Sequence, residues 1–334
     1  MANNTNLHLA KKIKNDEFYT KYDDIEKELQ YYKKAFEGKI VYCNCDNPKY
    51  SAFWKYFHLN FKELGLKSLL ATHYQKGNEY STAHLYTGNA DDDITDYATN
   101  IIFKDGDFRA QDCLNILDKC DIICSNPPFS LAYEYLLILL KRNKPFLIIG
   151  DINMLSYVDI FPYIRDNKMW LGNNPVKEFV EPNGNIKKFG NKIWLTNIDI
   201  KKKHKILELN KTYDENYYKK YDNFNAINVD RISDIPKDYN GIMGVPLTFL
   251  NVYNPEQFEI ITLGSSPKLF TATKRYENLL RHNIDGTTTK EHICCNQCLT
   301  IGYDTIPDGK IYFTASNSDK YLVTPYKRLL IRRK

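Results

Sequence analysis

Three absences narrow the class of this chain before any motif is read. No apolar run approaches the length that crosses a bilayer, and the opening "MANNTNLHLAKKIKNDEF" is polar, unlike a secretory leader. A cytoplasmic protein with no membrane partner is therefore expected. No second Cys-x-x-Cys accompanies Cys295-Asn296-Gln297-Cys298. A zinc site would be short of ligands even with His282 and His292 nearby, so no metal is expected. No Gly-x-Gly-x-x-Gly follows the first apolar strand, where "CNCDNPKYS" stands instead. A nicotinamide-dependent dehydrogenase would carry that fingerprint there. Internal repeats and long low-complexity linkers are also missing. The 8 cysteines (Cys43, Cys45, Cys113, Cys120, Cys124, Cys294, Cys295 and Cys298) are expected to be reduced thiols in a cytosolic chain.

What is present is enough apolar material for a core, 43% of 334 residues, and 26 tyrosines. That length allows one large domain or two ordinary ones. Net charge is only +5, so the chain as a whole is no polycation. The charge is uneven, however. "KKFGNKIWLTNIDIKKKHK", from Lys187 to Lys205, and the terminal "KRLLIRRK" are strongly basic, which suits contact with phosphate. Solvated lysine on an exposed face is the plainer reading of either run alone.

Through Gly150 the pattern alternates strand and helix. In Asp23–Phe36, Ile25, Leu29, Tyr32 and Phe36 fall on one helical face. "KIVYCNC", "KSLLATHY", "NIIFKDGD", "DIICSN" and "PFLIIGD" read as strands, separated by helices at "YSAFWKYFHLNFKELG", "DCLNILDKC" and "LAYEYLLILLKRN". Strands apolar throughout predict a doubly wound, mainly parallel sheet covered on both faces. Such sheets bind ligands at the carboxyl ends of their strands. Asn126, Asp46 and Asp107 all fall at such ends. "MWLG" and "KIWLTNID" predict strands around a Gly/Asn/Pro-rich excursion, and beyond Asn210 the texture changes to short strands such as "EIITLG" and "KIYFTA". We expect an α/β domain over residues 1–210 and an α+β unit over 211–334.

The stretch "SNPPF" then carries the chemistry. Two prolines without N–H groups end a buried strand at Asn126. The Asn126 amide oxygen and the Pro127 carbonyl offer two acceptors, Pro128 stiffens the turn, and Phe129 offers a flat ring. Two converging acceptors beside a stacking surface suit an –NH₂ group on a heteroaromatic ring. Accepting both hydrogens frees a lone pair otherwise conjugated into the ring, and stabilises positive charge as the nitrogen attacks. A polar turn after a strand is the plain alternative for four letters, made weaker by the apolar strand before and the helix after.

At this point the chain resembles the S-adenosylmethionine-dependent amino-methyltransferases with an [N/D/S]-P-P-[F/Y/W] motif. More narrowly, it resembles the EcoRI-type adenine-specific DNA methyltransferases, in "NDEFYT", "VYCNCDNP", "DGDFR", "SNPPFSL", "YDNFNAINV", "DYNGIMGVPLTFL", "YNPEQFEII" and "YKRLLIRR". The resemblance implies a Rossmann-like class I methyltransferase domain with a C-terminal target-recognition region. It implies methylation of the N6 amine of a flipped adenine in double-stranded DNA, for restriction-modification or protection. Phe18, Tyr19 and Thr20 take the place of a segment lining the methionine end of the cofactor. Asn44 and Asp46 stand where relatives in the wider class carry a glycine-rich loop. Asp107 and Phe108 match the position that reads the cofactor's adenine, while "LLATHY" offers only Thr72 and His73 for the ribose. Lys187, Lys188, Lys192, Lys201, Lys202 and Lys203 are the candidate phosphate contacts. Arg328, Arg332 and Arg333 are weaker ones, on a segment that reads as an edge strand.

Two competing readings keep part of this. An amino-methyltransferase acting on an RNA base or a protein glutamine would hold its –NH₂ group in the same way. A non-catalytic binding protein would tolerate loss of Asn126 or Phe129, and both are present. Since each DNA strand can be methylated separately, a monomer is expected.

Overall fold

The computed structural model describes residues 18–75, 80–88, 98–103 (backbone only), 106–265, 268–291 and 293–334. The polar opening residues 1–17, Asp91–Asp93 and His292 lie outside them. The chain divides into two compact units, residues 1–155 with 169–201, and residues 156–168 with 202–334.

In chain order the first unit runs β1 (Tyr19–Thr20), α1 (Tyr22–Leu29), β2 (Ile40–Cys43), α2 (Ala52–Leu59), β3 (Ser68–Thr72), β4 (Tyr80–Tyr86) and β5 (Ala98–Phe103). It continues with α3 (Gln111–Lys119), β6 (Ile122–Ser125), α4 (Ala132–Lys141) and β7 (Phe146–Asp151). It closes with β8 (Trp170–Leu171), β9 (Glu178–Val180), β10 (Ile186–Lys188) and β11 (Lys192–Thr196). One sheet of eight strands has the order β5-β4-β3-β2-β6-β7-β11-β8. Its centre, β3-β2-β6-β7, is parallel, and every other pairing is antiparallel. The sheet is therefore mixed, not mainly parallel. The central strands do read as apolar runs because helices cover both of their faces. The flanking strands return as antiparallel neighbours, which needs no crossover helix. Strand β4 went unread in the sequence for this reason: it is a flank, not a buried run.

Side chains at alternate positions divide between the faces. Val41, Cys43, Leu69, Ala71, Ile122, Cys124, Leu147 and Ile149 share one core with Ile25, Leu29, Tyr32 and Phe36. The expected stripe on Asp23–Phe36 thus faces the sheet. Its helix, however, is broken: α1 gives way to a 3₁₀ turn at Gln30–Tyr32 and a one-turn helix at Lys33–Phe36. On α1, Glu28 is fully buried. Its carboxylate accepts from the Tyr32 hydroxyl at 2.8 Å, from the Asn173 and Asn174 backbone amides at 2.7 and 2.8 Å, and from Asn174 Nδ2 at 2.9 Å.

The Gly/Asn/Pro-rich excursion is ordered. Strands β9 and β10 form a hairpin about Asn183-Gly184, with Gly184 at φ +86°, where a side chain would be strained. Strand β1 pairs with β9, so Tyr19 and Thr20 are tied to this hairpin.

The second unit contains α5 (Phe161–Arg165), β12 (Ile227–Asn228), β13 (Met243–Pro246), β14 (Phe258–Leu263), β15 (Leu280–His282) and β16 (Thr288–Lys290). Strands β17 (Ile301–Tyr303), β18 (Tyr312–Ala315), β19 (Ser318–Val323) and β20 (Arg328–Arg333) complete it. Two sheets result, β12-β13-β20-β14 and β16-β15-β18-β19-β17. The expected edge strand "RLLIRR" is instead an interior strand, β20, between β13 and β14. Leu329, Leu330 and Ile331 are fully buried, which an edge position could not achieve on both sides. Arg328 is buried and bonds Asp230 at 2.8 Å, and Arg332 bonds Glu259 at 2.5 Å. These arginines are committed to internal pairs.

Candidate active site

The parallel centre of the sheet sets the site. Strands β2 and β6 are neighbours running the same way, so the residues that follow them, Asn44-Cys45-Asp46 and Asn126-Pro127-Pro128, emerge side by side. Asp46 joins the two loops. It accepts from the Ser51 and Ser125 hydroxyls, both at 2.6 Å, and from the backbone amide of Asn126. Ser51 in turn caps α2 by accepting from the Trp54 amide at 3.2 Å. Asp46 therefore binds strand ends and a helix start into one frame.

Burial raises the Asp46 carboxyl to about 6, against these donors, which lower it. The sign of the stability effect follows. Between the unfolded value of 3.8 and about 6, the folded protein holds a proton that the unfolded chain has lost, so stability falls as pH rises through that window. Asp46→Asn removes the effect. From about pH 4.5 to about pH 7, the wild-type advantage over Asp46→Asn in urea unfolding is expected to shrink by roughly 2 kcal/mol. A difference independent of pH would contradict it.

Beside this frame lies a cavity of about 800 Å³. Phe18, Tyr19, Thr20, Asn44, Asp46, Asp107 and Phe108 all line it, and so do Asn126, Pro127 and Pro128. Residues distant in sequence are thus gathered at one place. Several buried polar atoms of the lining have no partner among the described residues: Asn126 Oδ1, Asn44 Nδ2, Thr20 Oγ1 and His73 Nδ1. Such groups are costly unless something bonds them, and their clustering in residues around one cavity fits a polar ligand.

Asn126 is oriented from its other end. Its Nδ2 donates to the Phe18 carbonyl, which leaves Oδ1 as a buried acceptor with no partner among the described residues. His73 was offered by the sequence only as one of two ribose candidates. Thr72 drops out, since its hydroxyl bonds Tyr42 and Asn44, whereas His73 lines the cavity. Burial and Lys49 lower the His73 imidazole, which keeps it neutral near pH 7. Tyr50 also lines the cavity and went unread. Asp107 is less available than expected: Arg109 Nε and Nη2 grip its carboxylate at 2.8 and 2.5 Å.

Phe129 departs from expectation. It does not line the cavity as an exposed ring, but is half-buried and stacked on Phe18, with centroids 5.1 Å apart and planes 16° apart. Phe179 and Phe189 meet it edge-on, both at 5.1 Å. Lys192 stands over the same ring, with Nζ 3.9 Å from the centroid. Lys192 is buried and bonds Asp151 at 3.3 Å, which removes it from a phosphate surface. The other lysines differ. Lys187 and Lys188 are exposed on β10, near Glu181 and Glu178 at 3.6 and 3.1 Å. Lys201 is exposed, and Lys202 and Lys203 are half-buried.

Among the described residues, no group of three or more His, Cys, Asp or Glu gathers as a metal site, and no helix is long and apolar enough to cross a membrane. All 8 cysteines are unpaired.

Comparison with known proteins identifies relatives over most of the chain. The family model described as "Adenine-specific methyltransferase EcoRI" matches residues 6–334. The chain is 46% identical to the type II methyltransferase M.EcoRI of Escherichia coli, over 78% of this chain and 89% of that protein. It is 36% identical to the type II methyltransferase M.MgeORF184P of Mycoplasma genitalium, over 77% and 86% of the two chains. The type II methyltransferase M.MpnI of Mycoplasma pneumoniae is 33% identical, over 77% and 85%. No solved structure gives a significant match.

Proposed function

This chain belongs to the EcoRI-type adenine-specific methyltransferases, and from that membership we propose how its residues divide the work of methylating adenine N6 in duplex DNA. The observation that carries the assignment is Asn126, which lines the 800 Å³ cavity and whose buried Oδ1 has no partner among the described residues. The Asn126 amide and the Pro127 carbonyl accept the two N6 hydrogens. The nitrogen lone pair then turns out of conjugation, and growing positive charge meets fixed dipoles. The residues act by placement and electrostatics, with no covalent enzyme intermediate. The proton released from nitrogen passes to solvent. Because N6 cannot reach a cleft from within a duplex, the base is extruded first, at a cost of a few kcal/mol.

The cofactor of this chemistry is S-adenosylmethionine, which supplies an electrophilic methyl group on a sulfonium. The cavity fits it in size, and its unpartnered Asn44 Nδ2, Thr20 Oγ1 and His73 Nδ1 suit a ligand rich in polar groups. Phe18, Tyr19 and Thr20 hold one end, Asn44 and Asp46 frame the middle, and Phe108 packs beside the other. A Rossmann-like catalytic domain is assigned to residues 1–210 and target recognition to 211–334. The break between compact units at residues 201 and 202 lies near that boundary, while residues 156–168 group with the second unit. Lys187, Lys188, Lys201, Lys202 and Lys203 remain the phosphate contacts of this reading. The enzyme works as a cytoplasmic monomer without a metal.

The test is transfer of label from S-adenosylmethionine to unmethylated genomic DNA, with RNA and protein as parallel acceptors. Label is expected in DNA alone. Label in RNA or protein but not in DNA would keep the –NH₂ chemistry and overturn the substrate.

A further inference from the structure

The cation over Phe129 is unexplained by the roles assigned so far. Strand pairing puts it there. Asn126 follows β6, Asp151 ends the parallel neighbour β7, and Lys192 opens β11, which is antiparallel to β7. All three therefore meet at the carboxyl ends of β6 and β7, and Lys192 and Asp151 are direct cross-strand partners. Asp151 Oδ2 accepts from both Lys192 Nζ and Asn191 Nδ2, so the carboxylate is itself held. The Lys192 side chain is only 7% exposed, and its ammonium lies closer to the Phe129 centroid, 3.9 Å, than to that of Phe189, 5.6 Å. On the other ring of the stack, Lys187 Nζ lies 5.2 Å from the Phe18 centroid. A buried lysine is costly unless its position is used. Here the stem spans from the start of β11 to the last residue of "NPPF", and the head is fixed between a carboxylate and a ring face.

We propose that Lys192, braced by Asp151, is a positioning residue for methyl transfer. It fixes the Phe129 ring against Phe18, and thereby the direction of the Pro127 carbonyl and of the Asn126 amide, whose Nδ2 bonds the Phe18 carbonyl. Lys192 acts through Phe129 and does not hold the DNA backbone. This rests on the reading that Asn126 and Pro127 receive the adenine amine. Desolvated cation–ring contacts are strong enough that losing one is expected to slow a step dependent on the ring's position by roughly 30-fold.

The experiment uses the full chain, labelled S-adenosylmethionine and an unmethylated duplex bearing the target site, in single turnover with both ligands saturating. Lys192→Met keeps the length of the stem and removes the charge. It is expected to lower the transfer rate about 30-fold, with duplex affinity and its salt dependence within about threefold of wild type. Lys192→Arg restores a cation that can face the ring and is expected to recover at least half of that loss on a logarithmic scale. In a Phe129→Leu background, Lys192→Met is expected to have no further effect. Should Lys192→Met not fold, Asp151→Asn carries the same test, with an expected loss of about tenfold in the transfer rate alone. The inference is overturned if the saturated rate is unchanged, or if the loss lies in duplex affinity with a salt slope shallower by about one unit, the mark of a phosphate contact. Failure of the wild-type chain to methylate DNA would instead overturn the reading beneath it.

Discussion

Asn126→Ala is expected to slow methyl transfer in single turnover by roughly 10³-fold, while cofactor and duplex affinities stay within about threefold of wild type. The size follows from what is lost. Asn126 Oδ1 is a fixed acceptor whose interaction grows as the amine becomes positive, so its removal acts on the transition state more than on the bound complex. The buried setting enlarges the effect, because electrostatic interactions are stronger where the local dielectric is low. Asn126→Asp is expected to fall between the two proteins. It keeps the acceptor in place of Oδ1 but faces the Phe18 carbonyl with a second oxygen where Nδ2 now donates. Near-normal turnover of Asn126→Ala would refute the role given to this amide.

Glu28→Ala is expected to lower the free energy of unfolding by about 4 kcal/mol, the largest single effect on stability considered for the first unit. The carboxylate has no exposed surface and is surrounded by donors: the Tyr32 hydroxyl, the Asn173 and Asn174 amides and Asn174 Nδ2. Truncation strands them together, and the closely packed Gly172 shows how little room there is for water. A Cβ at Gly172 would lie 2.4 Å from Glu28 Oε1 and 2.5 Å from Trp194 Cβ. Glu28→Gln, which keeps one acceptor oxygen and turns an amide toward the remaining donors, is expected to cost about half as much. Urea unfolding followed by circular dichroism reads both. A loss under about 1 kcal/mol for Glu28→Ala would show that the clamp on residues 173 and 174 is not what holds this helix in place.

The legible parts of the fold were those where one local rule decides. The apolar runs of β6 and β7 marked parallel strands, and the spacing of Ile25, Leu29, Tyr32 and Phe36 marked a buried helical face even though that helix is broken in its middle. Asn126 was legible because prolines must end a strand. Strand β4 was not, because an antiparallel flank carries no uninterrupted apolar run. The β9–β10 hairpin did leave a signal, Asn183-Gly184 between β-forming segments, inside the Gly/Asn/Pro-rich excursion. Strand β20 was misjudged as an edge because its charged ends outweighed the three buried residues between them. The placement of Phe18–Thr20 beside Asn126 came only through the resemblance, since nothing local says that residues 108 apart share a hydrogen bond. The Lys192 ammonium is the clearest limit. Lysine belongs by default in water, and its anchor, Asp151, lies 41 residues away across a strand pair that had to be seen.

The central claim is that this chain places a methyl group on the N6 amine of adenine in DNA. The most direct measurement is to treat unmethylated genomic DNA with the purified protein and S-adenosylmethionine, then sequence the product by a method that reads methylated bases in place. N6-methyladenine at one recurrent motif is the expected result, absent when Asn126→Ala is used. Methyl groups on cytosine N4, or adenine methylation scattered without a motif, would contradict the account.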